Sequence, residues 1–158
     1  MTRRLIASGL FVFAASALVL SSAPTWAADS RFSQSITDLP LSSLRQDQYS
    51  DAIDAYAAKG QYQKALDVAD LGLRKNPKSA QLKFQRCVVL EKMGDTAQAK
   101  AELERFIRLY PEIPEGYNNL AALLSREGEL DAAETYLKRA LAFRPKFRQA
   151  HVNLGNLY

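Results

Sequence analysis

The chain has 158 residues, 47% of them hydrophobic, with 21 basic against 17 acidic side chains and a formal charge of +4. That length bounds it to one domain or a short solenoid, with enough apolar residues for a real core. One cysteine, Cys87, excludes an internal disulfide.

Met1 to Ala27 reads as a secretory leader. Arg3 and Arg4 supply the positive start, Leu5 to Leu20 is an uncharged apolar stretch of 16 residues, and Ser21 to Ala27 is a small-residue region broken by Pro24. Thr25 and Ala27 take the positions before a cleavage point at Ala28. The stretch is short of the roughly 20 residues that span a bilayer, so the leader is expected to be cleaved, and membrane contact to be confined to the leader before cleavage. Its removal leaves 19 basic against 17 acidic residues, a charge of +2. No compositional argument for nucleic-acid binding survives that loss. The expected location is outside the cytoplasm, in the periplasm.

Residues 28–45 form a lead-in. Ala28 to Asp38 is polar and expected to be mobile. Ser43 and Gln46 have the spacing of a capping box, which predicts a helix that begins early, just after Pro40.

From residue 46 onward three series keep one step. Gly60, Gly94 and Gly128 are 34 apart, as are Pro77, Pro111 and Pro145, and Ala65, Ala99 and Ala133. One register for three series signals a stacked repeat array. With the glycines at position 15, the units are residues 46–79, 80–113 and 114–147, and a partial fourth, 148–158, reaches position 11. Each full unit reads as two antiparallel helices, A and B. In helix A of repeat three, Tyr117, Leu120, Ala121 and Leu124 recur at i, i+3, i+4 and i+7. Helix B carries Leu130, Ala133, Leu137, Ala140 and Leu141 inward until Pro145 ends it. Repeats one and two follow through Tyr49, Ala52, Ile53 and Tyr56, and through Cys87, Leu90, Leu103 and Ile107. Small residues at positions 8 (Cys87, Ala121, Gly155) and 20 let paired helices approach closely. The fold expected is an all-α solenoid.

These residues resemble the tetratricopeptide repeat (TPR) family over 46–158, best at Tyr117 to Ala121 and at Ala150 to Tyr158. Tyr110 to Ala121 (YPEIPEGYNNLA), behind a leader, is similar to small exported TPR proteins of Gram-negative bacteria. Two departures stand out. Position 27, commonly Ala in the family, is Gly72 in repeat one and Phe106 in repeat two, a ring expected to alter packing between repeats two and three. Position 4, often aromatic, is Tyr49 and Tyr117 but Lys83 and His151 elsewhere. His151 is the only histidine, which argues against a metal role, and no cofactor is expected.

The resemblance implies a concave groove lined by the A helices, whose outward positions are 2, 5, 6, 9, 12 and 13. Those positions hold five acids (Asp47, Asp51, Asp54, Glu91, Glu115) against two bases, Lys92 and Arg126. Asn119 and Asn153 share position 6 in adjacent repeats and Gln85 extends that series, while Asp51 breaks it. An amide both donates to a peptide C=O and accepts from a peptide N–H, so such a ladder reads an extended backbone. Phe84 and Val88 lie one turn apart as an apolar anchor, and Asn156 continues the row. The family's carboxylate clamp does not fit: its positions here are Ser50, Asp54, Glu115 and Asn119, and the acids would repel a carboxylate. The expected partner is a protein or peptide, neutral or basic in the bound segment.

No Ser-His-Asp pattern, Gly-rich phosphate loop or Cys/His cluster is visible, so the reading is a non-catalytic interaction module. The competing reading is a structural solenoid that self-associates. Leu154, Gly155 and Tyr158 face the place of an absent helix B, and that open end offers a route to homo-oligomers. Truncation of a longer array is the other explanation weighed for that end.

Overall fold

Glycine at position 15 and proline at position 32 set where each helix stops, and the computed structural model follows them. It describes residues 36–37 and 39–158. The leader (1–27) and the start of the polar segment lie outside the described residues. The helices are α1 (Tyr49–Ala58) and α2 (Tyr62–Lys75), α3 (Ala80–Met93) and α4 (Thr96–Leu109), α5 (Pro114–Arg126) and α6 (Leu130–Phe143), and α7 (Arg148–Gly155). No strand occurs among the described residues, and none of their helices is long and apolar enough to cross a membrane.

Each A–B turn runs through a glycine in the left-handed region, with φ of 70°, 89° and 83° at Gly60, Gly94 and Gly128. A side chain is disfavoured there, which explains the strict series. Two helix starts are capped by a short side-chain oxygen: Ser79 Oγ accepts from the Leu82 N–H, and Asp95 Oδ1 accepts from the Gln98 N–H. Pro114 sits in the first turn of α5, where its missing N–H costs nothing.

The core is one continuous spine. Tyr49, Ala52, Ile53 and Tyr56 are buried in repeat one; Cys87, Leu90, Leu103 and Ile107 in repeat two; Tyr117, Leu120, Ala121, Leu124, Ala133, Leu137 and Ala140 in repeat three. Among the expected inward residues Leu141 is half-buried and Leu130 is the clear exception. It opens α6 and is 47% exposed.

The N-terminal lead-in differs from expectation in two ways. By Ile36 the chain is already packed: Ile36 and Leu44 are buried in the core, and Tyr56 donates its hydroxyl to the Thr37 carbonyl at 2.9 Å. No helix starts after Pro40. Two 3-10 turns, Leu41–Ser43 and Gln46–Gln48, are separated by extended Leu44. The reciprocal cap falls two residues further on, where Gln48 Oε1 accepts from the Arg45 N–H at 3.0 Å. Ser43 instead donates to the Pro40 carbonyl at 2.7 Å. Burying Leu44 requires this extended break, and an α-helix running through it would turn that side chain off the core.

Position 27 and position 3 of the next repeat touch, and they trade volume. Gly72 faces Leu82, Phe106 faces Gly116, and Ala140 is followed by Ala150, all six buried. A Cβ on Gly116 would stand 2.7 Å from Phe106 Cδ1 and 2.9 Å from Ile107 Cγ2. The Phe106 ring therefore does alter the junction between repeats two and three. Helix α1 packs on α3, and α5 on α7, whereas α3 and α5 hardly meet.

Candidate functional site

The concave face is built by a register rule that the hydrogen bonds reveal: position 5 of one repeat faces position 6 of the next. At the first junction Gln85 Nε2 donates to Ser50 Oγ (3.0 Å), to the Ser50 carbonyl (3.1 Å) and to Asp54 Oδ1 (3.0 Å). Gln81 Nε2 adds a 2.6 Å bond to the same Ser50 hydroxyl. At the last junction Asn153 Nδ2 donates to Asn118 Oδ1 at 2.9 Å, and Gln149 Nε2 donates to Asn153 Oδ1 at 3.1 Å.

At the middle junction the same rule places Phe84 opposite Asn119, and a ring edge offers no acceptor. Phe84 is half-buried, tilted on Phe106 with centroids 5.5 Å apart. It is therefore packing at the junction and not the outward anchor that helix spacing predicts. Asn118, also at position 5, is only 5% exposed for the same reason. Val88 is half-buried, and Asp54 and Asn156 are exposed. Asn153 and Asn156 line a depression of about 140 Å³ with Ala122 and Ser125.

Two polar atoms of the ladder are left over. Gln85 Oε1 is buried and has no hydrogen-bond partner. Asn119 Oδ1 accepts from Asn118 Nδ2 at 3.3 Å, and Asn119 Nδ2 donates to no described residue. A buried acceptor without a donor costs about 1–3 kcal/mol, and such groups are rare in folded proteins. One acceptor, on the Gln85 amide that is bonded to α1, and one donor, on Asn119 of the next repeat, are thus left along the row. That is the pair a main-chain amide would satisfy. The sequence reading picked Gln85 and Asn119 but not their difference from Asn153. Serine at position 5 before Gln85, and phenylalanine before Asn119, were the available signals.

Charge along the groove is less uniform than the residue tally suggests. Arg126 pairs with Glu91 at 2.7 Å, Arg144 with Glu115 at 2.5 Å and Arg45 with Asp47 at 3.2 Å. Asp51 and Asp54 are exposed and make no ion pair with any described residue. The acidic character is concentrated on α1. Beneath the groove, burial pushes the Cys87 thiol up to about 12, with Glu102 adding to the shift and Arg86 opposing it. At neutral pH it is an inert core thiol. His151 points elsewhere, bonding through Nε2 to the Pro145 carbonyl at 2.8 Å.

Residues 88–147 match the family model described as tetratricopeptide repeat. The matched segment is tetratricopeptide repeat sequence, in step with the 34-residue register, and the paired helices form the fold of solved TPR solenoids. Among solved TPR structures, a thermophilic protein of Thermus thermophilus is 27% identical, with a TM-score of 0.67 over 80% of this chain and 70% of that one. The first TPR domain of human RPAP3 is 19% identical, with a TM-score of 0.65 over 71% of this chain and 88% of that one. The Yersinia enterocolitica type III secretion chaperone SycD, in complex with a peptide of the translocator YopD, is 16% identical, with a TM-score of 0.63 over 70% and 90%. These TPR relatives share the fold.

Proposed function

We propose that this TPR array is a non-catalytic module that holds an extended segment of a partner protein in its concave groove. The observation that carries the reading is the orphaned Gln85 Oε1, with Asn119 Nδ2 at the same position of the next repeat donating to no described residue. A bound main chain would donate an N–H to Gln85 and accept from Asn119, and Asn153 and Asn156 would continue the row. Val88 would pack against the segment's side chains. Asp51 and Asp54, which make no ion pair with any described residue, favour a segment that is neutral or basic at the repeat-one end. That SycD holds a peptide of its translocator supports the use of this scaffold for peptide capture.

The setting proposed is the periplasm, reached through the leader at 1–27, as an accessory to an envelope assembly. The leader's Arg3, Arg4 and apolar run support export, as does the likeness of Tyr110 to Ala121 to exported TPR proteins. Alkaline phosphatase fused after Tyr158 should be active in cells and lose activity when residues 1–27 are deleted.

The groove is tested by placing a photo-crosslinking amino acid at Val88, identifying what it captures, and measuring a synthetic peptide of the captured segment by calorimetry. Gln85→Met with Asn119→Ala should weaken that peptide at least 10-fold while the far-UV spectrum stays unchanged. An acidic peptide binding more tightly than its charge-reversed version would sink the charge assignment. Self-association that survives both substitutions, with no peptide bound, would favour the structural solenoid instead.

A further inference from the structure

Repeat two lacks the ring that its neighbours place between helices A and B. In repeat three, Tyr117 at position 4 stacks on Phe143 (centroids 5.7 Å, planes 20° apart) and lies 6.4 Å from Tyr136. In repeat one, Tyr49 at position 4 is fully buried beneath the Lys75 ammonium, 5.6 Å from its ring. The matching residues of repeat two are Lys83, Leu109 and Glu102. Position 7, apolar as Ala52, Leu120 and Leu154 in the other repeats, is Arg86.

A cleft of about 300 Å³ occupies that place, on the helix B side and away from the peptide groove. Part of its wall is apolar: Leu73 and Pro77 from the end of repeat one, and Phe106 and half-exposed Leu109 from α4. Arg86 is spent inside it, bonded to Asp70 at 2.9 Å and Glu102 at 3.1 Å with its side chain 20% exposed. Lys83 and Arg105 also line the cleft and make no ion pair with any described residue. The internal acids are therefore engaged, and the two free charges of the cleft are positive.

The geometry points to a second docking site here, for a partner-protein segment that presents an aromatic side chain beside carboxylates. The ring takes the slot that Tyr117 fills in repeat three, against Phe106 and Leu109. The flanking acids pair with Lys83 and Arg105, where a charged contact at a partly enclosed site adds orientation as well as attraction. This preference is opposite in sign to that of α1 in the groove, so the two faces take different segments, and neither assignment rests on the other.

The test uses the full chain, isotope-labelled, titrated with Ac-Asp-Trp-Asp-NH₂ and followed by amide chemical shifts. Saturable shifts are expected at Leu73, Phe106 and Leu109. Ac-Lys-Trp-Lys-NH₂ and Ac-Asp-Ala-Asp-NH₂ should each bind at least 10-fold more weakly. Lys83→Tyr restores the missing ring and should abolish binding without lowering the melting temperature. Arg105→Glu, on the exposed face of α4, should weaken binding at least 10-fold in a fold left intact, and it keeps the test sound if the tyrosine does not fit. Absence of saturable shifts, shifts confined to α1 and α5, or unchanged binding by both variants would each overturn the site.

Discussion

The junction between repeats one and two and the junction between repeats two and three use the same two positions with the sizes exchanged. At the first, Gly72 leaves room for Leu82, α1 and α3 are in contact, and Gln85 spends its donors on Ser50 and Asp54. At the second, Phe106 needs Gly116, α3 and α5 hardly meet, and Asn119 keeps a free donor. A buried ring thus does more than fill space: Phe106 leaves room only for a glycine on α5, and Phe84, packed on it, gives Asn119 no acceptor.

The largest test removes the ring. Phe106→Ala should cost about 3–5 kcal/mol in urea unfolding, since it opens a cavity and strips Phe84 and Tyr110 of a partner with centroids 5.5 and 5.1 Å away. Adding Gly116→Leu gives the middle junction the small-then-large order of the first, and should recover about 1–3 kcal/mol through coupling between touching residues. Additive losses would show that the exchanged sizes are coincidence. Next in size is Gly116→Ala in the native background. Its Cβ meets ring and methyl atoms at 2.7 and 2.9 Å, so a loss of about 1–3 kcal/mol is expected. The same substitution at Gly72 should cost less, because the nearest atom is the end of the flexible Leu82 side chain, at 2.8 Å.

The repeat, its helices and nearly all of its core were legible in the sequence, because a 34-residue register fixes which face each side chain takes. Phe106 could be named as a disturbance for the same reason. What could not be read was the pairing of position 27 with position 3 of the next repeat, and of position 5 with position 6. Those pairs follow from how far one repeat is rotated on another, and sequence spacing within a helix carries no information about that. Phe84 shows the consequence: helical spacing assigns it to the groove surface, yet the rotation turns its ring onto Phe106. The cleft was half legible. Lys83 stands out as a missing aromatic, whereas Arg86 and Glu102 gain meaning only once α2, α3 and α4 are seen to converge on them.

Cys87 lies in α3, between the two junctions, and offers a smaller probe of how tightly repeat two is closed. Its thiol is pushed from 9.0 to about 12 by burial. The folded state therefore holds the proton more tightly than the unfolded chain. The associated stability is intact below pH 9 and is lost as pH rises from 9 towards 12. By pH 10 the loss should be about 1 kcal/mol, read as the difference in pH dependence between the wild type and Cys87→Ala. A thiol that reacts with an aromatic disulfide at pH 8 as fast as free cysteine would show that repeat two opens where the comparison requires it closed.

The smallest effect is expected where the middle junction has an ion pair in place of helix packing. Arg126 reaches Glu91 at 2.7 Å across the mouth of the groove, with the arginine side chain 55% exposed. An exposed pair of this kind contributes about 0.2–1 kcal/mol and less as salt rises. A double-mutant cycle with Glu91→Gln and Arg126→Gln should return a coupling in that range at low ionic strength and almost none at 1 M salt. A coupling of several kcal/mol would mean that charge, and not the Phe106–Gly116 contact, holds repeats two and three together. The exchange of sizes would then be a consequence of the junction's geometry and not its cause.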